Sequence, residues 1–188
     1  TPGVIPIRSG YSGKYPVPGW DSEFGWEGFV NFDALPSMLN PEGGLVVTAN
    51  NAAIGDQYPF LLTDDWDYGF RAQRISDLLE EATAGSATVD AGDLSAIQLD
   101  TFNAVAATLV PRMQDTVEGL DERAAAAFAL FDGWDFHSDA DSAASAYFNA
   151  FWRTLQDPLY NDELGVDARS NGGDRWWYVT DQLWNEPD

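Results

Sequence analysis

LVVTANNAAIG, residues 45–55, decides how the chain is read. An apolar, β-branched run stops abruptly at two adjacent asparagines, Asn50 and Asn51. β-Branched residues favour extended backbone, and asparagine favours the turn that follows. GLVVTAN (44–50) is therefore a short strand candidate. A strand end is a stiff place from which to present one amide N–H donor. By its local pattern alone, the asparagine pair reads as a polar turn after a strand.

Outward from this stretch, GVIPIR (3–8) and WEGFVNF (26–32) are two further short strand candidates. The turn sequences YPVPGW (15–20) and LPSMLNPEGG (35–44) separate them. From residue 70 the period changes: Phe70, Ile75, Leu78, Leu79 and Ala82 recur at helical spacing, with Arg74, Asp77, Glu80 and Glu81 on the other face. Residues 90–113 suggest one broken helix or two, with Pro111 near the end. DERAAAAFALF (121–131) has an alanine-rich helix propensity. Asp141 or Ser142 is placed to cap a helix running to about Leu155, and DRWWYVTDQLW (174–184) makes a last, aromatic helix. Strands first and helices after predict an α+β fold, with residues 1–68 β-rich and 69–188 mainly helical. Three short strands offer few inward faces, so the helices need a further surface to pack on, and the chain reads as one piece of a larger domain.

The 188 residues include 45% hydrophobic and 14% aromatic side chains, a globular composition. No apolar run is long enough for a bilayer. No signal peptide opens the chain, which makes it a mature form or part of something longer. Without cysteine there are no disulfides, thiolate catalysis or cysteine metal sites. The net charge is −22, and Lys14 is the sole lysine. Nucleic acid and anionic membrane, which need cationic patches, are excluded as natural partners. Acids spread along the whole chain suggest a surface adapted to salt, or the acidic bias of a high-GC source.

Several side chains invite a chemical reading. Thr1 is a candidate nucleophile with its own amine as base. The acids of DDWD, Asp64, Asp65 and Asp67, suit a hard cation such as calcium, or form a solvated loop. DFHSDADS (135–142) lacks the glycine and distal glutamate of an EF-hand and reads as a turn and helix cap. His137, the single histidine, is a surface residue without metal partners. Trp176 and Trp177 form either a sugar platform or buried packing.

YPVPGW…GWEGFVNFDALPSMLNPEGGLVVTANN followed by YPFLLTDDWDYGFRAQRISDLL resembles the penicillin acylase (penicillin amidase) family of N-terminal-nucleophile hydrolases, and LFDGWD…SAASAYFNAFW is similar to that family's β-chain. The resemblance covers most of residues 3–155. It implies an αββα fold and a precursor that cuts itself into α- and β-chains, with a serine nucleophile at the new β N-terminus. This chain looks like an internal part of the β-chain, whose partners are the remaining α- and β-chain segments and a small N-acyl amide substrate. Thr1 then falls at a boundary inside the family's chain. The resemblance assigns the side-chain half of the oxyanion hole to Asn50 and an active-site arginine to Arg71. It also implies structural calcium, held by an aspartate such as Asp64 or Asp65 and a carbonyl near Gly13, and a secreted or periplasmic location. The competing expectation is a non-catalytic acidic module that binds calcium or carbohydrate.

Overall fold

The computed structural model describes residues 4–86 and 88–186. Thr1 lies outside the described residues. The chain divides into two compact units, Thr1–Ala72 and Gln73–Asp188. It is mostly helical with one short two-stranded sheet, compatible with an α+β class.

In the first unit, β1 (Pro6–Arg8) pairs antiparallel with β2 (Trp26–Phe29). Pro6 faces Phe29 and Ile7 faces Gly28, and a register shift between Ile7 and Arg8 ends the ladder. The Val30 N–H donates to the Ile5 carbonyl at 2.9 Å, which carries the pairing one step further and buries Val30. Two single 3₁₀ turns, Ser22–Phe24 and Phe32–Ala34, are capped by Asp21 and Asn31. Each cap accepts a backbone N–H two residues on, the habit that makes Asp and Asn turn residues.

The expected strand at 44–50 is not formed. Leu45 to Thr48 alternate between half-buried and exposed, as in an extended segment, but no neighbouring strand pairs with them among the described residues. Extended backbone becomes a strand only when a ladder closes beside it. Here closure is limited to one bridge, Asn51 with Asp67, just past the apolar run.

Six α-helices follow among the described residues. α1 (Phe70–Thr83) half-buries Ile75, Leu78, Leu79 and Ala82 and exposes Asp77, Glu80 and Glu81. The stretch 90–113 resolves into two helices, α2 (Ala91–Gln98) and α3 (Ala104–Thr116). Asp90 and Asp93 cap α2 reciprocally, and Asn103 caps α3 through the Ala106 N–H at 3.0 Å. α3 runs through Pro111 and does not end near it. Proline lacks an N–H, so it weakens a helix interior. Burial of Ala106, Leu109, Val110 and Met113 on one face of α3 compensates.

α4 (Glu122–Phe128) starts at an Asp121 cap. α5 (Ala143–Gln156) starts at Ser142, whose Oγ accepts the Ser145 N–H at 3.2 Å. Past Gln156 the helix widens into a π-turn, Asp157–Asn161. Pro158 lies inside it and cannot donate back to the preceding turn, a cause of such widening. α6 (Asp174–Asn185) closes the chain.

The core of the second unit sits where α3, α5 and α6 turn apolar residues inward. Phe148, Leu109 and Val110 are its largest fully buried side chains. Phe131 stacks on Trp134 at 6.0 Å and meets Phe148 edge-on at 6.3 Å. Burying an aromatic of this size contributes about 2–3 kcal/mol. Trp177 is buried and meets Trp152 edge-on at 6.1 Å, while Trp176 tilts against Tyr160 at 4.8 Å. Trp177 is thus core packing, and Trp176 is half-buried beside Tyr160. Gly172 has φ +71°, and a Cβ there would lie 3.1 Å from the Trp152 Nε1, which donates to the Gly172 carbonyl at 2.7 Å. The same unit carries an apolar groove of about 460 Å³ between α3, α4, α5 and α6, lined by Leu109, Met113, Phe128, Phe151 and Trp184 among others.

Candidate active site

The Asn50 region is a turn built around a left-handed residue. Asn50 has φ +64°, a conformation asparagine tolerates better than other non-glycine residues. Its carbonyl accepts the Asp67 N–H at 3.0 Å, which ties residues 49–51 to the segment leading into α1. Asn51 serves the turn itself. Its Oδ1 accepts the Ala49 N–H at 3.1 Å, and its Nδ2 donates to the Ala52 carbonyl at 3.4 Å.

Arg71, in the first turn of α1, reaches back to this turn. Its Nη2 donates to the Ala49 carbonyl and to the Asn50 Oδ1, each at 2.9 Å, and to the Asp67 carboxylate. All these residues belong to the first unit. A guanidinium has no acceptor, so it selects the oxygen of the Asn50 amide and fixes which way the amide is turned. The Nδ2 amino group of Asn50 then donates to no described residue, and the side chain is exposed. Nη2 carries two protons against three acceptors, so one N–H is shared.

Asp67 is the member of this cluster that the sequence did not single out as a partner of Arg71. The signal was present: Asp and Arg four residues apart across a helix start are within reach of each other. Grouped with Asp64 and Asp65, it read as one acid of a cation loop.

The two aspartates expected to hold calcium behave differently. The Lys14 ammonium contacts the Asp64 carboxylate at 2.6 Å. That hydrogen bond holds the Asp64 carboxyl below its ordinary range and raises Lys14. Both are solvated surface groups. Asp65 has its N–H on the Thr63 Oγ1 at 3.1 Å. No group of three or more His, Cys, Asp or Glu side chains suited to a metal occurs among the described residues. Lys14 follows Gly13 directly, so the ammonium on Asp64 comes from the residue next to it.

His137 is half-buried and engaged. Its Nδ1 lies 3.1 Å from the Thr101 Oγ1, its ring meets Phe102 at 5.7 Å, and Thr101 also donates to Asp139 at 3.1 Å. Arg74, on the polar face of α1, is engaged too. It makes a two-pronged pair with Asp100 at 2.8 and 2.7 Å and lies 4.3 Å over the Phe102 ring.

An amide held by its oxygen, with its N–H₂ left over on an exposed turn, is a preset hydrogen-bond donor for an incoming acceptor. The chain belongs to the penicillin amidase family, whose sequence profile matches residues 1–188. It is 34% identical to the penicillin acylase 2 proenzyme of Pseudomonas sp. (strain SE83), over 97% of this chain and 24% of that protein. It is 30% identical to the acyl-homoserine lactone acylase QuiP of Pseudomonas syringae pv. tomato (strain ATCC BAA-871 / DC3000), over 88% of this chain and 21% of that protein. Penicillin G acylase of Escherichia coli is 35% identical over 42% of the chain. The chain thus spans a quarter or less of the length of the curated relatives it matches.

Proposed function

We propose that the chain is part of an N-acyl amide hydrolase of the penicillin acylase kind. In this reading Asn50 donates its Nδ2–H to the oxyanion of the tetrahedral intermediate, and Arg71 holds Asn50 by its side-chain oxygen. The serine nucleophile and the second oxyanion donor belong to other segments of the same precursor, within an αββα N-terminal-nucleophile fold. Family membership supports the reaction class, and the names of the relatives suggest the substrates: β-lactam acyl amides, acyl-homoserine lactones or related N-acyl compounds. A secreted or periplasmic location goes with the same resemblance. No described helix is long and apolar enough to cross a membrane.

The observation that carries the proposal is the bond from Arg71 Nη2 to Asn50 Oδ1 at 2.9 Å. It polarises the amide and sets the orientation of the donor before any substrate arrives. Preset donors stabilise developing charge without reorganising at the moment of reaction. Calcium in this protein would need ligands from other segments, with Asp65 the freer of the two aspartates and Asp64 already on Lys14.

The test is Asn50→Ala in the full-length, processed protein, with processing checked by N-terminal sequencing. Loss of one oxyanion donor lowers kcat by about 10²–10³, with a smaller change in ground-state binding. The 188-residue chain alone, lacking an attacking group, gives no turnover of a chromogenic N-acyl anilide. A correctly processed Asn50→Ala enzyme with near-normal kcat would show that this asparagine is only a turn residue.

A further inference from the structure

We infer that Asp67 is a positioning residue for the Asn50 donor, acting through Arg71 and through the backbone of the turn. This rests on the oxyanion reading of Asn50. Two independent contacts place Asp67 there. Its carboxylate accepts from Arg71 Nη2, the same nitrogen that donates to the Asn50 Oδ1. Its backbone N–H donates to the Asn50 carbonyl at 3.0 Å, inside the bridge between Asn51 and Asp67.

The physical need for the carboxylate follows from where Arg71 sits. Its side chain is 61% exposed, so packing does little to hold it. It also lies in the first turn of α1, where the helix dipole disfavours a cation. The other two acceptors of Nη2 are neutral carbonyl oxygens. A bond between ions is about twice as strong as a neutral one, so Asp67 is the anchor of highest strength. Without it the guanidinium turns to solvent, the Asn50 Oδ1 loses its donor, and the amide is free to rotate away from its working direction. The left-handed backbone of Asn50 meanwhile depends on the Asp67 N–H, which any substitution but proline preserves. Charge and backbone contributions are therefore separable.

The experiment is a double-mutant cycle in the full-length, processed enzyme: Asp67→Asn, Asn50→Ala and both together, with kcat, KM and thermal midpoint measured for each. Asp67→Asn keeps size and backbone contacts and removes only the charge. The expected result is a fall of about tenfold in kcat, with KM within a factor of about two, since a misdirected donor is felt at the transition state. In the Asn50→Ala background the same change should cost less than about twofold, because there is no donor left to misdirect. Asp67→Glu, which retains the charge, should recover most of the lost rate. Equal losses from Asp67→Asn in both backgrounds would overturn the positioning role while leaving the Asn50 reading intact. Asp67→Glu as slow as Asp67→Asn would also overturn it; if Asp67→Asn fails to fold, Asp67→Glu is read against the parent, and a folded, correctly processed Asp67→Glu that loses about tenfold in kcat overturns the role. A near-normal Asn50→Ala enzyme removes both readings at once.

Discussion

Adjacent asparagines with the same side chain do different work here. Asn50 spends its oxygen on Arg71 and keeps its N–H₂, whereas Asn51 spends both ends of its amide on the turn. Asn51→Ala therefore belongs to stability. Loss of the bond to the Ala49 N–H should cost about 1 kcal/mol of unfolding free energy, visible in a thermal melt, while kcat falls far less than in Asn50→Ala. A kcat for Asn51→Ala as low as that of Asn50→Ala would mean that the turn, not one amide, is what the site requires. That an asparagine closes an apolar run is legible in the sequence. Which of the two faces Arg71 is not, because it depends on the φ of +64° at Asn50 and on a contact 21 residues away.

Helices were the legible elements, because a periodic apolar face and a side-chain cap are both local signals. Asp90, Asn103, Asp121 and Ser142 all begin helices where their side chains can meet free N–H groups. The strand expected at 44–50 failed for the converse reason: a strand is defined by its neighbour, and a short run of Leu, Val and Thr says nothing about whether one exists. Pro111 misled similarly, since its local cost is outweighed by burial on the opposite face of α3. Arg74 of α1 shows a long-range pair that no local pattern reveals. Its hydrogen bonds hold the Asp100 carboxyl below its ordinary value of 3.8 and raise Arg74. A carboxyl whose folded value is depressed stabilises the fold above its unfolded value and loses that contribution as pH falls through the folded one. Asp100→Asn should thus lower the thermal midpoint near neutral pH, and the gap to the parent should narrow below pH 3.8 and close in stronger acid. A gap that stays constant with pH would show that the Arg74–Asp100 charge pair contributes nothing beyond its shape.

Over the whole molecule, charge is the dominant sequence-level fact and the one that local structure least modifies. The chain carries −22, and Asp162 and Glu163 show the consequence in small: hydrogen bonding and repulsion from Asp162 raise the Glu163 carboxyl. Self-repulsion of this size opposes the compact state. Added salt shortens its reach to about 3 Å at 1 M. If the acids are an adaptation to salt, the thermal midpoint should climb steeply with KCl concentration. A midpoint flat from low to molar KCl would leave the acids as compositional bias alone.

The placement of the indoles makes the helical core visible from within. Trp20 is 90% exposed and Trp26 61% exposed in the first unit, whereas Trp152 and Trp177 are shielded against each other in the second. Fluorescence from the solvated pair lies to the red and is open to a neutral quencher such as acrylamide. Emission from the shielded pair lies to the blue and is protected for as long as α5 and α6 stay together. Iodide, being an anion, is kept at a distance by a surface of −22 and would under-report the exposed indoles. One cuvette, read at the blue edge of the spectrum with acrylamide present, can follow the opening of the helical core around Trp152 and Trp177 with no added label.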